Sequence, residues 1–181
     1  GDWVFSSGNL PPSLPLKDTA DLLKAARRGG AFFALDQRGP ALRAFLKEKP
    51  DYVQANRSEY TRTFGDKPKE DSAILRFLSK VMVLGAASAA YLDGEKGAVL
   101  ATTEGVWKLI PPRLRARSPI GAGDSFLGGM RYGRMRGLSW PESLRWAGAA
   151  AAANVMTPGA CRFARVLALH YLGACRIKEL S

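Results

Sequence analysis

Short apolar runs of strand length alternate with helix-length periodic segments through the first part of the chain. This alternation restricts the fold more than any other feature. Trp3 to Ser6, W-V-F-S, is the first strand candidate, and S-G-N-L-P-P (Ser7 to Pro12) is a turn by composition. Lys17 to Arg28 has helical periodicity, closed by Gly29 and Gly30. Ala31 to Leu35, A-F-F-A-L, is short, continuous and apolar, which predicts a buried strand with Asp36 just beyond it. Pro40 to Lys47 reads as a short helix, and Asp51 to Gln54 as another strand, followed by Asn56. Strand and helix joined by short connections predict a mostly parallel sheet with helices on both faces, a three-layer α/β fold. Ligands of such sheets bind beyond the carboxyl ends of the strands. Asp36, Asn56 and Glu59 are therefore candidates for one cleft, against the alternative that each is a polar loop residue capping a helix.

Further along, Lys69 to Lys80 predicts a helix and Val81 to Leu84 a strand. Ala86 to Tyr91 is too small and apolar for a loop and too short for a helix. Asp93-Gly94-Glu95-Lys96-Gly97 is a hairpin-type turn between Ala90–Leu92 and Ala98–Ala101, and Val106 to Ile110 is a further strand. The alternation of Arg113, Arg115 and Arg117 would put them on one strand face, either solvated or drawing anions. Ser139 and Glu142 form a capping box with Pro141 in the first turn. The Ala-rich helix that they start reaches about Asn154 and packs against the helix before it. Thr157-Pro158-Gly159 is a turn, and Arg162 to Leu172 a last helix.

Between these lies R-S-P-I-G-A-G-D-S-F-L-G-G-M, Arg117 to Met130. Gly121 and Gly123 allow a tight turn and a close backbone approach. A helix starting near Asp124 would aim unpaired N–H groups at that loop, where a phosphate or a developing negative charge can sit. Asp124 could take a proton from a substrate hydroxyl. Taken alone, the pattern also reads as a glycine loop with an Asp cap.

Composition narrows the alternatives. The 181 residues suffice for one domain, 1–181, and 46% hydrophobic content excludes a disordered chain. No apolar run approaches the roughly 18 residues that span a bilayer, so no membrane partner is expected. A net charge of +11 favours anionic partners. The basic residues are scattered, however, and no nucleic-acid motif accompanies them, so nucleic acid is not expected. Cys161 and Cys175 have no C-x-x-C spacing, which predicts reduced thiols in a cytoplasmic protein. His170 is the only histidine, which leaves no Ser-His-Asp chemistry and no His-rich metal site.

Several stretches together resemble one family. I-G-A-G-D-S-F-L-G-G is similar to the C-terminal signature of ribokinase-like, phosphofructokinase B type sugar kinases, and N-R-S-E (Asn56 to Glu59) to their N-x-x-E motif. S-G-N-L-P-P, D-Q-R-G-P-A-L-R and T-T-E-G-V-W-K resemble the phosphosugar branch, which includes 1-phosphofructokinase and tagatose-6-phosphate kinase. The resemblance implies ATP-dependent phosphorylation of a sugar phosphate hydroxyl, with Asp124 as general base. Gly121, Ala122 and Gly123 would give N–H groups to the transferring phosphoryl. Asn56 and Glu59 would organise Mg²⁺ and the nucleotide phosphates through water, Gly94 and Gly97 would form the nucleotide-side turn, and Asn154 and Gly159 would lie near the adenine. It implies a homodimer in the full-length form.

The matching region also departs from the family. Its early strands, sugar-binding residues and β lid have no counterpart here. The usual K-P-N is Gln54-Ala55-Asn56, D-T-S-G is Asp36-Gln37-Arg38-Gly39, and S-L-G is Leu92-Asp93-Gly94. A truncated or decayed homologue that binds nucleotide or a partner without catalysis is the alternative.

Overall fold

The computed structural model describes residues 2–11, 13–65 and 70–180. Gly1, Pro12 at the end of the first turn, and Lys69 at the start of a predicted helix lie outside the described residues. The chain divides into two compact units, Gly1–Tyr91 with Ala101–Glu104, and Leu92–Leu100 with Gly105–Ser181. The α/β class expected from the alternation is what the chain adopts.

In the first unit, β1 (Trp3–Ser7), α1 (Leu16–Arg28), β2 (Phe32–Asp36), α2 (Gly39–Leu46) and β3 (Tyr52–Asn56) follow the predicted order. α3 (Arg57–Phe64), α4 (Asp71–Val83) and β4 (Ala89–Leu92), apart from Leu92 itself, follow them. β1, β2 and β3 are parallel neighbours, with Ser7 opposite Asp36 and Asp36 opposite Gln54. Their carboxyl ends therefore share one edge. Phe33, Ala34 and Leu35 of β2 and Leu42 and Phe45 of α2 are fully buried, as a continuous apolar strand beneath helices requires.

One expectation changes here. Val81–Leu84 is not a strand: Val81 to Val83 complete α4, and Leu84 caps it. Ile74, Phe77, Leu78 and Val81 are buried at helical spacing, so the helix period runs through the β-branched residues. Val83, on the opposite face, is 87% exposed. The Asn56–Phe64 stretch also holds a helix, α3, that its modest propensity conceals.

The second unit contains β5 (Ala98–Ala101), apart from Ala101 itself, and β6 (Val106–Ile110), α5 (Ala122–Met135), α6 (Trp140–Val155), α7 (Arg165–Leu172) and β7 (Arg176–Glu179). β7 runs antiparallel to β6, with Lys178 opposite Lys108, so the β-structure of the chain is mixed. R-I-K-E has too little apolar alternation to announce a strand. Its charges suit an edge.

α6 begins at the predicted Ser139–Glu142 capping box and lies antiparallel to α5. The contact is close because Gly129 meets Trp146 and Ala147, and Gly133 meets Ser143. The arginines do not share a strand face: 111–116 has no regular structure, because Pro111 and Pro112 cannot donate to a ladder. α7 starts three residues later than the periodicity indicates.

Candidate active site

At the carboxyl edge of the first unit, Asn56 ends β3 and caps α3. Its Oδ1 accepts from the Ser58 N–H at 2.9 Å and the Glu59 N–H at 3.0 Å, and Glu59 Oε2 accepts from the Asn56 N–H at 2.8 Å. N-x-x-E is thus a complete capping box, and it explains why a helix forms on R-S-E-Y-T-R-T-F. Asn56 is exposed and Glu59 half-buried. Oxygen donors of this kind fit a hard cation such as Mg²⁺ held through its own water. Among the described residues no three His, Cys, Asp or Glu side chains group as direct metal ligands.

Replacing Asn56 with Ala is expected to lower stability by about 1 kcal/mol, since two first-turn N–H groups lose their acceptor. A thermal melt checks this as a fall in Tm of about 3 °C.

Beside this pair, Gln54 is fully buried. Its Nε2 donates to Asp36 Oδ2 at 3.1 Å, and the Tyr52 hydroxyl donates to its Oε1 at 3.2 Å. Burial, and then the Asp36 charge, push the Tyr52 phenol well above its ordinary range, so it stays neutral. Gln37, also buried, donates to Ser6 Oγ at 2.9 Å, and Arg38 donates to Asn9. The ends of β1, β2 and β3 are therefore tied by polar side chains. Of these, the sequence drew attention to Asp36, to Gln37 and Arg38 after it, and to Gln54 in place of a lysine. Tyr52 gives no sequence signal, because it reads as an ordinary strand residue.

In the second unit the glycine loop turns into α5. Gly121 is the N-cap, at φ 81°. A Cβ there would lie 2.8 Å from the Ala160 Cβ, so both the left-handed backbone and the close approach require glycine. The helix starts at Ala122, so Asp124 is not its cap but the third residue of its first turn, and it is exposed. The Ala122 N–H, one of three expected to face an anion, donates to the Pro119 carbonyl at 3.2 Å. Ser125 follows with its N–H on the Gly121 carbonyl.

The segment leading into this loop is pinned from behind. The Arg117 and Ser118 N–H groups both donate to the Val155 carbonyl at the end of α6, at 2.7 and 3.1 Å. Asn154 is fully buried, and its side chain binds backbone on two sides. Arg113, Arg115 and Arg117 are exposed on this approach. Gly159 takes φ 87° in the loop after α6.

The Gly94–Gly97 turn belongs to the same unit. Gly94–Lys96 is a single 3₁₀ turn, closed by the Asp93 N–H on the Gly97 carbonyl at 2.8 Å. Gly97, at φ 97°, has no room for a Cβ, which would meet the Leu109 carbonyl at 1.9 Å. Gly94 has open space around it. No motif or spacing singles out Cys161. It takes φ 56° beside the loop, with its thiol 3.6 Å from the Gly121 carbonyl and 3.5 Å from Ser125 Oγ.

Comparison with known proteins adds to this geometry. A family model described as pfkB family carbohydrate kinase matches residues 1–165. The chain is 33% identical over 146 residues to a 1-phosphofructokinase of Rhodobacter capsulatus, covering 81% of this chain and 46% of that protein. The structure of phosphofructokinase-2 from Escherichia coli in complex with potassium superposes with a TM-score of 0.87 at 24% identity, over 94% of this chain and 56% of that one. Arabidopsis thaliana ribokinase complexed with ribose and ATP gives a TM-score of 0.77 at 25% identity, over 87% and 53%. The chain spans about half the length of the curated relatives it matches. Among the described residues no helix is long and apolar enough to cross a membrane.

Proposed function

Since the chain belongs to the pfkB family of carbohydrate kinases, we propose that it serves ATP-dependent phosphorylation of a hydroxyl of a sugar phosphate, of the phosphofructokinase or tagatose-6-phosphate kinase type. The observation that carries this reading is the turn at Gly121 into α5, with the exposed Asp124 carboxylate in the first turn. In this reading the substrate hydroxyl attacks the γ-phosphorus of ATP while its proton passes to Asp124, and the bond from that phosphorus to the β–γ bridging oxygen breaks to release ADP. The Gly121–Ala122–Gly123 loop lies against the transferring phosphoryl, at a helix end whose N–H groups favour an anion.

Asn56 and Glu59 would hold Mg²⁺ through water, with Glu59 fixed in place by its bond to the Asn56 N–H. The cation neutralises nucleotide phosphate charge when bound. Gly94 and Gly97 shape the nucleotide side, and Asn154 and Gly159 stand in the part that lies near the adenine. A homodimer of the full-length protein belongs to the same reading. ADP release from MgATP is the test, with fructose 1-phosphate, fructose 6-phosphate and tagatose 6-phosphate as acceptors. Turnover on one of them supports the reading. None on any of them defeats it for this branch.

The second reading, a homologue that binds nucleotide without catalysis, draws on Gln54. A neutral, buried amide bonded to Asp36 stands where the resemblance has a lysine. Calorimetric binding of MgATP with no turnover would favour it.

A further inference from the structure

Asn154 lies in the last turn of α6 and is fully buried. Burying an amide is costly unless both of its ends are bonded. Here both are. Nδ2 donates to the Ile120 carbonyl at 2.9 Å, and Oδ1 accepts from the Cys161 N–H at 2.7 Å. Ile120 immediately precedes Gly121, the N-cap of α5. Cys161 follows Ala160, the residue against which Gly121 packs. The neighbouring Val155 carbonyl holds Arg117 and Ser118. Two consecutive residues of α6 thus fix two loops that are far apart in sequence. One bond also secures Cys161 at φ 56°, a backbone region that non-glycine residues rarely occupy.

We propose that Asn154 is a positioning residue. It clamps the glycine loop to the 157–161 loop and so sets where the first turn of α5, with Asp124, stands. The assignment rests on the kinase reading and departs from it at one point: Asn154 acts through Gly121–Asp124 and does not touch the nucleotide. A shift of the 157–161 loop passes to Ile120 through one side chain. The glycine loop cannot follow independently, because Ala160 fills the space beside Gly121.

The Cys161 thiol reports the clamp without any need for turnover. Cys175 is buried and its thiol is pushed up to about 11, so rapid labelling by a disulfide reagent belongs to Cys161. In Asn154→Ala, Cys161 is expected to label about tenfold faster, with a cooperative melt retained. Should that variant not fold, Asn154→Asp is the second test. It keeps an acceptor for the Cys161 N–H but sets a carboxylate against the Ile120 carbonyl, and it too should label faster. Unchanged labelling in a folded variant overturns the clamp.

In the ADP-release assay the variant should lose about tenfold in kcat with little change in the KM for ATP. A raised KM at constant kcat would make Asn154 a nucleotide contact and overturn the proposal. Faster labelling in a protein that phosphorylates nothing, with or without the substitution, would leave the clamp standing and defeat the kinase reading.

Discussion

Asp124→Asn is expected to lower phosphotransfer by about a thousandfold while leaving the melting temperature within a degree or two. The side chain is exposed in the first turn of α5, and an amide of the same size can stand in the same place. What the amide lacks is a basic oxygen. In the proposed reaction the attacking hydroxyl must then shed its proton to water, and the barrier rises by the contribution of the base. The KM values for ATP and for the sugar phosphate should change little, since the substitution removes an interaction made only as the hydroxyl is deprotonated. Activity retained within about tenfold would show that Asp124 is not the base. A collapse of the fold alongside the activity would show that it has a structural role which its exposure does not reveal.

The largest effect on stability is expected at Gly129. A Cβ there would lie 2.6 Å from the Trp146 carbonyl and 2.7 Å from the Ala147 Cα, both backbone atoms of α6 that cannot step aside singly. Gly129→Val therefore forces α5 and α6 apart, at a cost of about 3 kcal/mol. The melt should fall by about 10 °C. Its neighbour supplies the control. Gly128 is exposed, and nothing lies within 4 Å of the place a Cβ would take, so Gly128→Ala adds helix propensity without a clash. It should raise stability by up to about 1 kcal/mol. Adjacent glycines of one helix thus respond with opposite signs. If both substitutions were neutral, the close α5–α6 approach would be wrong.

Much of the fold is legible in the sequence where one signal dominates. A-F-F-A-L is short, continuous and apolar, and it forms the buried strand that its length and continuity indicate. The Ser139–Glu142 box marks the start of α6 to the residue. Legibility fails where two signals compete. V-M-V-L has strand composition, yet it continues a helix whose buried positions begin at Ile74. R-I-K-E has almost no apolar content and becomes a strand only because β6 offers it a partner.

The same division holds at the candidate site. Asp124 and the glycines before it stand out as a spacing. That Asp124 lies inside the helix, with Gly121 as the cap, depends on φ 81° at one residue, which no spacing reveals. N-R-S-E is legible as a motif of the resemblance. Its local meaning, a capping box, emerges only once the helix it starts is seen, because R-S-E-Y-T-R-T-F has little apolar periodicity to announce that helix. The role of Asn154 is hidden because its partners are backbone atoms, and backbone atoms leave no trace in residue identity.

The two bonds to the Val155 carbonyl have an electrostatic consequence. α5 and α6 are antiparallel, so the N-terminal end of α5 lies beside the C-terminal end of α6. The macrodipoles of two such helices oppose, and the partial negative charge at the end of α6 would cancel part of the positive potential at the start of α5. The Arg117 and Ser118 N–H groups are turned onto that end, and they offset it locally. The positive potential at the first turn of α5, on which the proposed phosphoryl site depends, is thereby preserved. The chain obtains this from backbone groups of the segment that enters the loop, a segment that also carries the exposed Arg117 side chain.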